Sequence, residues 1–95
     1  MNKRKIFAKI INNQTNVRFA EMVKLMEALG FVLDRVNGSH HIFTHPQIPE
    51  LANLQDVHGQ AKPYQVRQIL QLVEQYNLTL EAPATPAEPD AEENA

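Results

Sequence analysis

Histidines are the residues of this 95-residue chain that are best suited to acid–base chemistry. His40, His41 and His45 follow closely on a hairpin signal at Asn37-Gly38, and His58 lies further along. The imidazole group titrates near neutral pH, so it can take a proton from a hydroxyl group or give one to a leaving oxygen. RNA carries its own nucleophile in the ribose 2′-OH. One imidazole with nearby Lys or Arg charge therefore suits metal-free cleavage of an RNA phosphodiester.

The same histidines have two other interpretations, as polar residues on a strand or as zinc ligands. His40 and His45 are five residues apart, which puts them on opposite faces of a strand, and no spacing matches a familiar zinc motif. We therefore expect no metal and no cofactor. Alternation groups His40 with Ile42 and His41 with Phe43. Because each group contains an apolar residue, the pattern leaves open which histidine is exposed.

The apolar pattern predicts three helices and three strands. Helical spacing covers residues 3–12, 19–29 and 63–75, with Pro63 opening the last helix and Asn16 expected to cap the second. Residues 31–36, 39–44 and 51–57 are rich in strand formers, and Pro46 and Pro49 bracket a predicted loop. The order predicts an α+β fold in which an antiparallel three-stranded sheet has helices on one face.

Charge divides the chain into two parts. Residues 81–95 contain five acidic residues, three prolines and no base, which predicts a disordered acidic tail after a single domain over residues 1–80. The domain then has nine Lys and Arg against six Asp and Glu, a balance compatible with nucleic acid. The absence of cysteine, of an export signal and of a long apolar run favours a soluble cytoplasmic protein.

Two segments carry a family resemblance. Leu25-Met26-Glu27-Ala28-Leu29-Gly30-Phe31, followed by Gly38-Ser39-His40-His41-Ile42-Phe43, resembles the HicA family of bacterial type II toxins. Residues 62–70 resemble the last helix in one branch of that family, and the whole resemblance covers residues 17–78. Residues 56–60 depart from the commoner pattern, since they keep a histidine but lack the proline near it. This departure leaves the choice of substrate open.

The resemblance implies a fold like the double-stranded RNA-binding domain, α-β-β-β-α, here with an extra N-terminal helix. It implies a metal-independent endoribonuclease that cleaves messenger RNA, with His40, the histidine after Gly-Ser, as the catalytic general acid/base. It also implies a HicB-like antitoxin as partner. We expect the free toxin to be a monomer.

Several further residues are candidates for contact with RNA. Three surround the start of the last helix, where backbone N–H groups attract anions, and three lie on or beside the hairpin. They are Lys62, Tyr64 and Arg67, and Arg35, Ser39 and His41. Each also has a purely structural interpretation, as a turn residue, a strand residue or a surface cation. The alternative function is a non-catalytic module of the same fold that binds RNA or protein.

Overall fold

The computed structural model describes residues 2–80. Three helices and four strands follow one another: α1 (Lys3–Asn12), α2 (Phe19–Ala28), β1 (Val32–Asn37), β2 (His40–His45), β3 (Ile48–Val57), β4 (Gln60–Ala61) and α3 (Pro63–Gln75). The predicted α+β class and antiparallel sheet are confirmed, but the sheet has four strands where three were predicted. The predicted acidic tail, residues 81–95, lies outside the described residues. Within residues 2–80, no helix combines the length and apolar character needed to cross a bilayer.

The first two helices begin at different kinds of cap. Oδ1 of Asn2 accepts the backbone N–H of Lys5 at 2.9 Å and so caps α1. The prediction that Asn16 caps α2 is wrong, since the N-cap is Arg18. Arg18 has no side-chain acceptor, so the helix relies on Glu21, whose Oε1 accepts the backbone N–H of Arg18 at 3.3 Å. This is the reciprocal half of a capping box.

The four strands lie in sequence order, β1-β2-β3-β4, and every pairing is antiparallel. Asn37 pairs with His40, so the β1–β2 turn consists of Gly38 and Ser39, one position later than predicted. Gly38 has φ +64°, a conformation that glycine adopts without steric cost. His40 therefore directly follows the turn and is the first residue of β2.

The prediction of a loop between Pro46 and Pro49 is wrong at Pro49. His45 pairs with Ile48, so only Pro46 and Gln47 form the turn and Pro49 lies inside β3. A strand tolerates proline where a neighbour is missing on one side. At Pro49 this condition holds, because β4 pairs with β3 only at the far end, through Asp56 and Val57.

The fourth strand follows a tight turn at His58 and Gly59. His58 and Gly59 both have positive φ, 55° and 83°, as a two-residue type I′ hairpin requires. Oδ1 of Asp56 accepts the backbone N–H of Gly59 at 2.8 Å and fixes this turn. β4 has only two residues, too few for an alternating pattern to reveal.

Helices α2 and α3 pack on one face of the sheet, α1 packs on α2, and the three helices share one hydrophobic core. The predicted apolar stripes supply it, together with the inward side chains of β2 and β3: Ile6, Ile10, Met22, Leu25, Met26, Phe43, Ala52, Leu54, Val66, Ile69 and Val73 are among its buried members. A polar exception is Gln65, which is only 1% exposed. Its Oε1 accepts the backbone N–H of Gln55 at 2.7 Å, which ties α3 to β3. No helix of residues 2–80 covers the other side of the sheet, called the open face below.

Candidate active site

Strand β2 sends its histidines to both faces of the sheet. Phe43 and His45 are buried under the helices, with 1% and 8% exposure. Alternation places His41 on the same face and puts His40 and Ile42 on the open face. Pairing agrees, since Ile42 lies between Arg35 and Asn53, which are both exposed. The cross-strand partners thus assign His40 and His41 to opposite faces, and both are half-buried.

His45 serves the core. Its Nε2 lies 2.9 Å from the carbonyl oxygen of Leu29, and its Nδ1 accepts the backbone N–H of Gln47 at 3.1 Å. A carbonyl oxygen only accepts, so Nε2 carries the proton and the ring is neutral. The ring also meets that of Phe31 edge-on at 4.9 Å. Both nitrogens are occupied, which leaves His45 no part in proton transfer.

His41 lies against a helix rather than beside His40. Its ring meets the ring of Phe19 at 4.7 Å in an edge-on arrangement, and its Nδ1 lies 3.3 Å from the carbonyl oxygen of Ser39. The sequence analysis treated His41 as an RNA contact. The structure places it on the helix-covered side, across the sheet from His40.

His40 has a partner that the sequence analysis missed. Its Nδ1 lies 3.3 Å from Oδ1 of Asn53 on β3. In the pairing of β2 with β3, Asn53 is opposite Ile42 and hence diagonal to His40 on the open face. Diagonal neighbours in a sheet are close enough for long side chains to touch. No sequence motif indicates this contact, because it depends on the register of two strands.

Two rows of cross-strand partners surround the imidazole of His40 on the open face: Asn37–His40–Gln55, and next to it Arg35–Ile42–Asn53. The predicted Arg35 therefore shares this face with His40 and lies diagonal to it. Its guanidinium is ion-paired with the carboxylate of Asp34, and both side chains are exposed to solvent. The site thus contains one imidazole, three neighbouring amides and one exposed cation.

Ser39 lies in the turn directly before His40. Its side chain is exposed, and its carbonyl oxygen accepts the backbone N–H of Asp56 at 3.0 Å. This bond ties the β1–β2 turn to β3. The turn is therefore attached to β1 by the chain and to β3 by this hydrogen bond, and these are the strands on either side of His40.

The three residues predicted around the start of α3 do not form one cluster. Lys62 follows β4 in an extended conformation, and its Nζ lies 5.8 Å from the centre of the Tyr64 ring. Lys62 follows Ala61, whose partner Asp56 is next to Gln55 on β3; the pairing ends there, because the backbone N–H of Gln55 donates to Gln65. Arg67 instead lines a groove between α1 and α3. Lys62 and Tyr64 thus lie near the row of His40, and Arg67 belongs to the helical side.

A family model described as HicA toxin of bacterial toxin-antitoxin matches residues 19–75. The match spans more than half of the chain. This chain belongs to the HicA toxin family. Neither the search of curated proteins nor the search of solved structures finds a match.

The part that matches the HicA family contains the whole open face. It runs from α2 through all four strands to the end of α3, and so includes His40, Asn53 and Arg35. Helix α1 lies outside it and packs on α2 through Ile6 and Ile10. The fold common to the HicA family thus supplies the site, and α1 extends the core.

The open face of this HicA family member has side chains suited to proton transfer rather than to metal binding. Within residues 2–80, no group of three or more His, Asp or Glu side chains is arranged to hold a metal ion. His40 makes one side-chain hydrogen bond through Nδ1, and its Nε2 has no protein partner among the described residues. A ring nitrogen without a protein partner can exchange a proton with a bound hydroxyl group, and an exposed cation lies beside it.

Proposed function

We propose that this HicA family member is a metal-independent endoribonuclease that cleaves messenger RNA, with His40 as general acid/base. The observation that carries the proposal is the position of His40. It is the β2 histidine on the open face, its Nδ1 is held by Asn53, and its Nε2 has no protein partner among residues 2–80. His41 and His45 are turned toward the helices, where each contacts an aromatic ring.

The reaction needs one base and one acid. Nε2 of His40 takes the proton of a ribose 2′-OH, and the 2′-oxygen attacks the adjacent phosphorus. The bond from phosphorus to the 5′-oxygen breaks, which leaves a 2′,3′-cyclic phosphate and, once that oxygen is protonated, a 5′-OH. Because attack is in line, the leaving oxygen departs on the far side from Nε2, so a water molecule supplies its proton. The imidazolium then returns its own proton to solvent.

Positive charge beside the imidazole assists this step. The phosphorane-like transition state carries more negative charge on its oxygens than the substrate, so a nearby cation stabilises it preferentially. Arg35 is diagonal to His40, and Lys62 follows Ala61, whose partner Asp56 is next to Gln55, the cross-strand partner of His40. We assign phosphate contacts to both. Ser39 and Tyr64 are assigned to the path of the RNA on either side, whereas His41 and Arg67 lie on the helix-covered side and are left out of this path.

Two features support the proposed fold type and the proposed protein partner. Apart from the two-residue β4 before α3, the order from α2 to α3 is that of the double-stranded RNA-binding domain, which favours a fold of that kind with α1 added. Val32, on the open face at the end of β1 far from His40, is 59% exposed. An apolar side chain left uncovered on this face suits a protein partner. We propose a HicB-like antitoxin that covers the open face of a monomeric toxin in the cytoplasm.

Cleavage of a defined transcript in EDTA tests the proposal. The wild-type protein is expected to cut, and His40→Ala to be at least about 100-fold slower, as for loss of a general base. His58→Asn is the matched control, because it also removes an exposed histidine and asparagine tolerates the positive φ of that turn. It should cut at the wild-type rate.

Two results would contradict the proposal. If His40→Ala cuts as fast as wild type, or if EDTA abolishes cleavage, the assigned chemistry is wrong. If the protein binds the transcript but cuts none, the alternative of a non-catalytic RNA-binding module is favoured. Growth arrest on expression provides the same comparison in cells: His40→Ala should be harmless and His58→Asn toxic.

A further inference from the structure

We infer that Asn53 is the positioning residue for His40, and that its side-chain carbonyl selects Nε2 as the reacting nitrogen. The inference rests on the proposed function and extends it to a residue that the family match does not single out. The contact that carries it is the 3.3 Å approach of Asn53 Oδ1 to His40 Nδ1.

The backbone under Asn53 is fixed. Its neighbours on β3, Ala52 and Leu54, are 3% and 0% exposed and pack into the core on the other face. On β2, the backbone at His40 is anchored through its pairing with Gln55. The Cα atoms of the two residues keep their separation when RNA arrives, because moving either strand would disturb the core.

The chemistry follows from what an amide oxygen can do. Oδ1 of Asn53 only accepts hydrogen bonds, so its partner Nδ1 must carry a proton. In neutral imidazole the other nitrogen, Nε2, then has the lone pair that a general base needs. If the amide were reversed, its NH₂ group would donate to Nδ1 and the proton would move to Nε2. The outward nitrogen could then no longer accept a proton.

An amide also differs from a carboxylate in its effect on the imidazolium. Both accept a hydrogen bond from Nδ1–H, but only a carboxylate adds a negative charge that stabilises the imidazolium. The charged groups near His40 are Arg35 with its partner Asp34 on β1, and Lys62 beyond β4. Asn37 and Gln55, the direct cross-strand neighbours, are neutral. A carboxylate at position 53 would therefore be the nearest anion to the ring.

The test compares Asn53→Asp and Asn53→Ala with wild type by single-turnover cleavage in EDTA across pH. Asn53→Asp should move the acidic limb of the pH–rate profile upward by about one pH unit, the size expected for an adjacent opposite charge. Asn53→Ala should lower the rate constant about tenfold while RNA affinity is unchanged. In a His40→Ala background, Asn53→Ala should cause no further loss, since residues that act as a unit are not additive.

Thr44→Val is the matched control. Thr44 lies on the open face at the far end of β2 from His40, and valine keeps its shape. This variant should match wild type in both rate and pH profile. A profile for Asn53→Asp that coincides with wild type would overturn the inference. So would a loss in Asn53→Ala that appears in RNA affinity alone.

A second measurement needs no cleavage. Nitrogen chemical shifts of the His40 ring should show the Nδ1–H tautomer in the wild-type protein and a mixture of tautomers in Asn53→Ala. An unchanged tautomer in Asn53→Ala would refute the inference even in an active enzyme. Conversely, an altered tautomer in a protein that cuts no RNA would retain the role of Asn53 and refute the proposed function.

Discussion

The imidazole of His45 occupies the space that a side chain at Gly30 would need. A Cβ built on Gly30 would lie 2.9 Å from Nε2 of His45, closer than carbon and nitrogen normally approach. The same Nε2 donates to the carbonyl of Leu29, the C-cap of α2. The buried, neutral His45 at the end of β2 is therefore hydrogen-bonded to the end of α2. Gly30 allows this close approach because it has no side chain.

Gly30→Ala should destabilise the fold by about 2–4 kcal/mol, from backbone strain at φ +98° and from the clash with His45. Gly59→Ala separates the two causes. Its φ is +83°, yet a Cβ there meets nothing within 4 Å, so strain alone should cost about 1–2 kcal/mol. Urea unfolding of both variants measures the difference. Equal losses would show that contact with His45 adds nothing.

Gln65 presents a second buried polar contact. Gln65→Met keeps the length of the side chain but leaves the backbone N–H of Gln55 without its acceptor. The expected loss is about 1–3 kcal/mol of unfolding free energy, the cost of an unsatisfied buried donor. Gln68→Met is the control, since Gln68 is exposed on the same helix and should change stability by less than about 0.5 kcal/mol. Comparable losses in the two variants would refute the role given to Gln65.

The sequence predicted those parts of the fold that depend on local pattern. Helical stripes predicted α1 and α2, and Pro63 marked the start of α3, because helix periodicity and capping are local properties. The start of β3 was missed, since Pro49 suggests a loop until the pairing of His45 with Ile48 is known. The burial of Gln65 was missed for the same reason. Its side-chain oxygen accepts a hydrogen bond from a residue of β3 that lies ten positions earlier in the chain.

The candidate site shows the same division. Composition and spacing predicted a histidine cluster after a hairpin, but alternation alone did not distinguish His40 from His41. The faces were resolved by Arg35 and Asn53, the exposed partners of Ile42 on the neighbouring strands. Asn53 itself could not be predicted, because nothing in a lone asparagine on a strand indicates which histidine it will meet across the sheet.

The ion pair between Lys9 and Glu21 makes the free energy of unfolding depend on pH. Nζ of Lys9 donates to Glu21 at 2.8 Å, and this hydrogen bond, aided by the backbone N–H of Arg18 and opposed by partial burial, lowers the pKa of the Glu21 carboxyl. A carboxyl whose pKa is lower in the folded chain stabilises the fold above its unfolded pKa. The stabilisation disappears as pH falls through the folded value.

Glu21→Gln should therefore cost about 0.5–1 kcal/mol at pH 7, a modest value because Lys9 is 45% exposed. The difference from wild type should shrink toward zero at a pH below the folded pKa, where Glu21 is neutral as well. Urea unfolding at several pH values measures it. Glu27→Gln, exposed on the same helix and without an ion pair in residues 2–80, is the control. A cost that is independent of pH would contradict the assignment.

Lys62 tests the direction in which RNA crosses the open face. If Lys62 contacts a phosphate, Lys62→Gln should make the slope of log affinity against log salt shallower by about 0.7, the value for one contact with a single strand. The His40→Ala background keeps the RNA intact during titration. Lys24→Gln removes the same charge from the exposed surface of α2, so any general effect of net charge appears there too. A shallower slope in Lys62→Gln alone would place RNA along the row of Gln55 and His40. Identical slopes in the two variants would mean that RNA does not pass the start of α3.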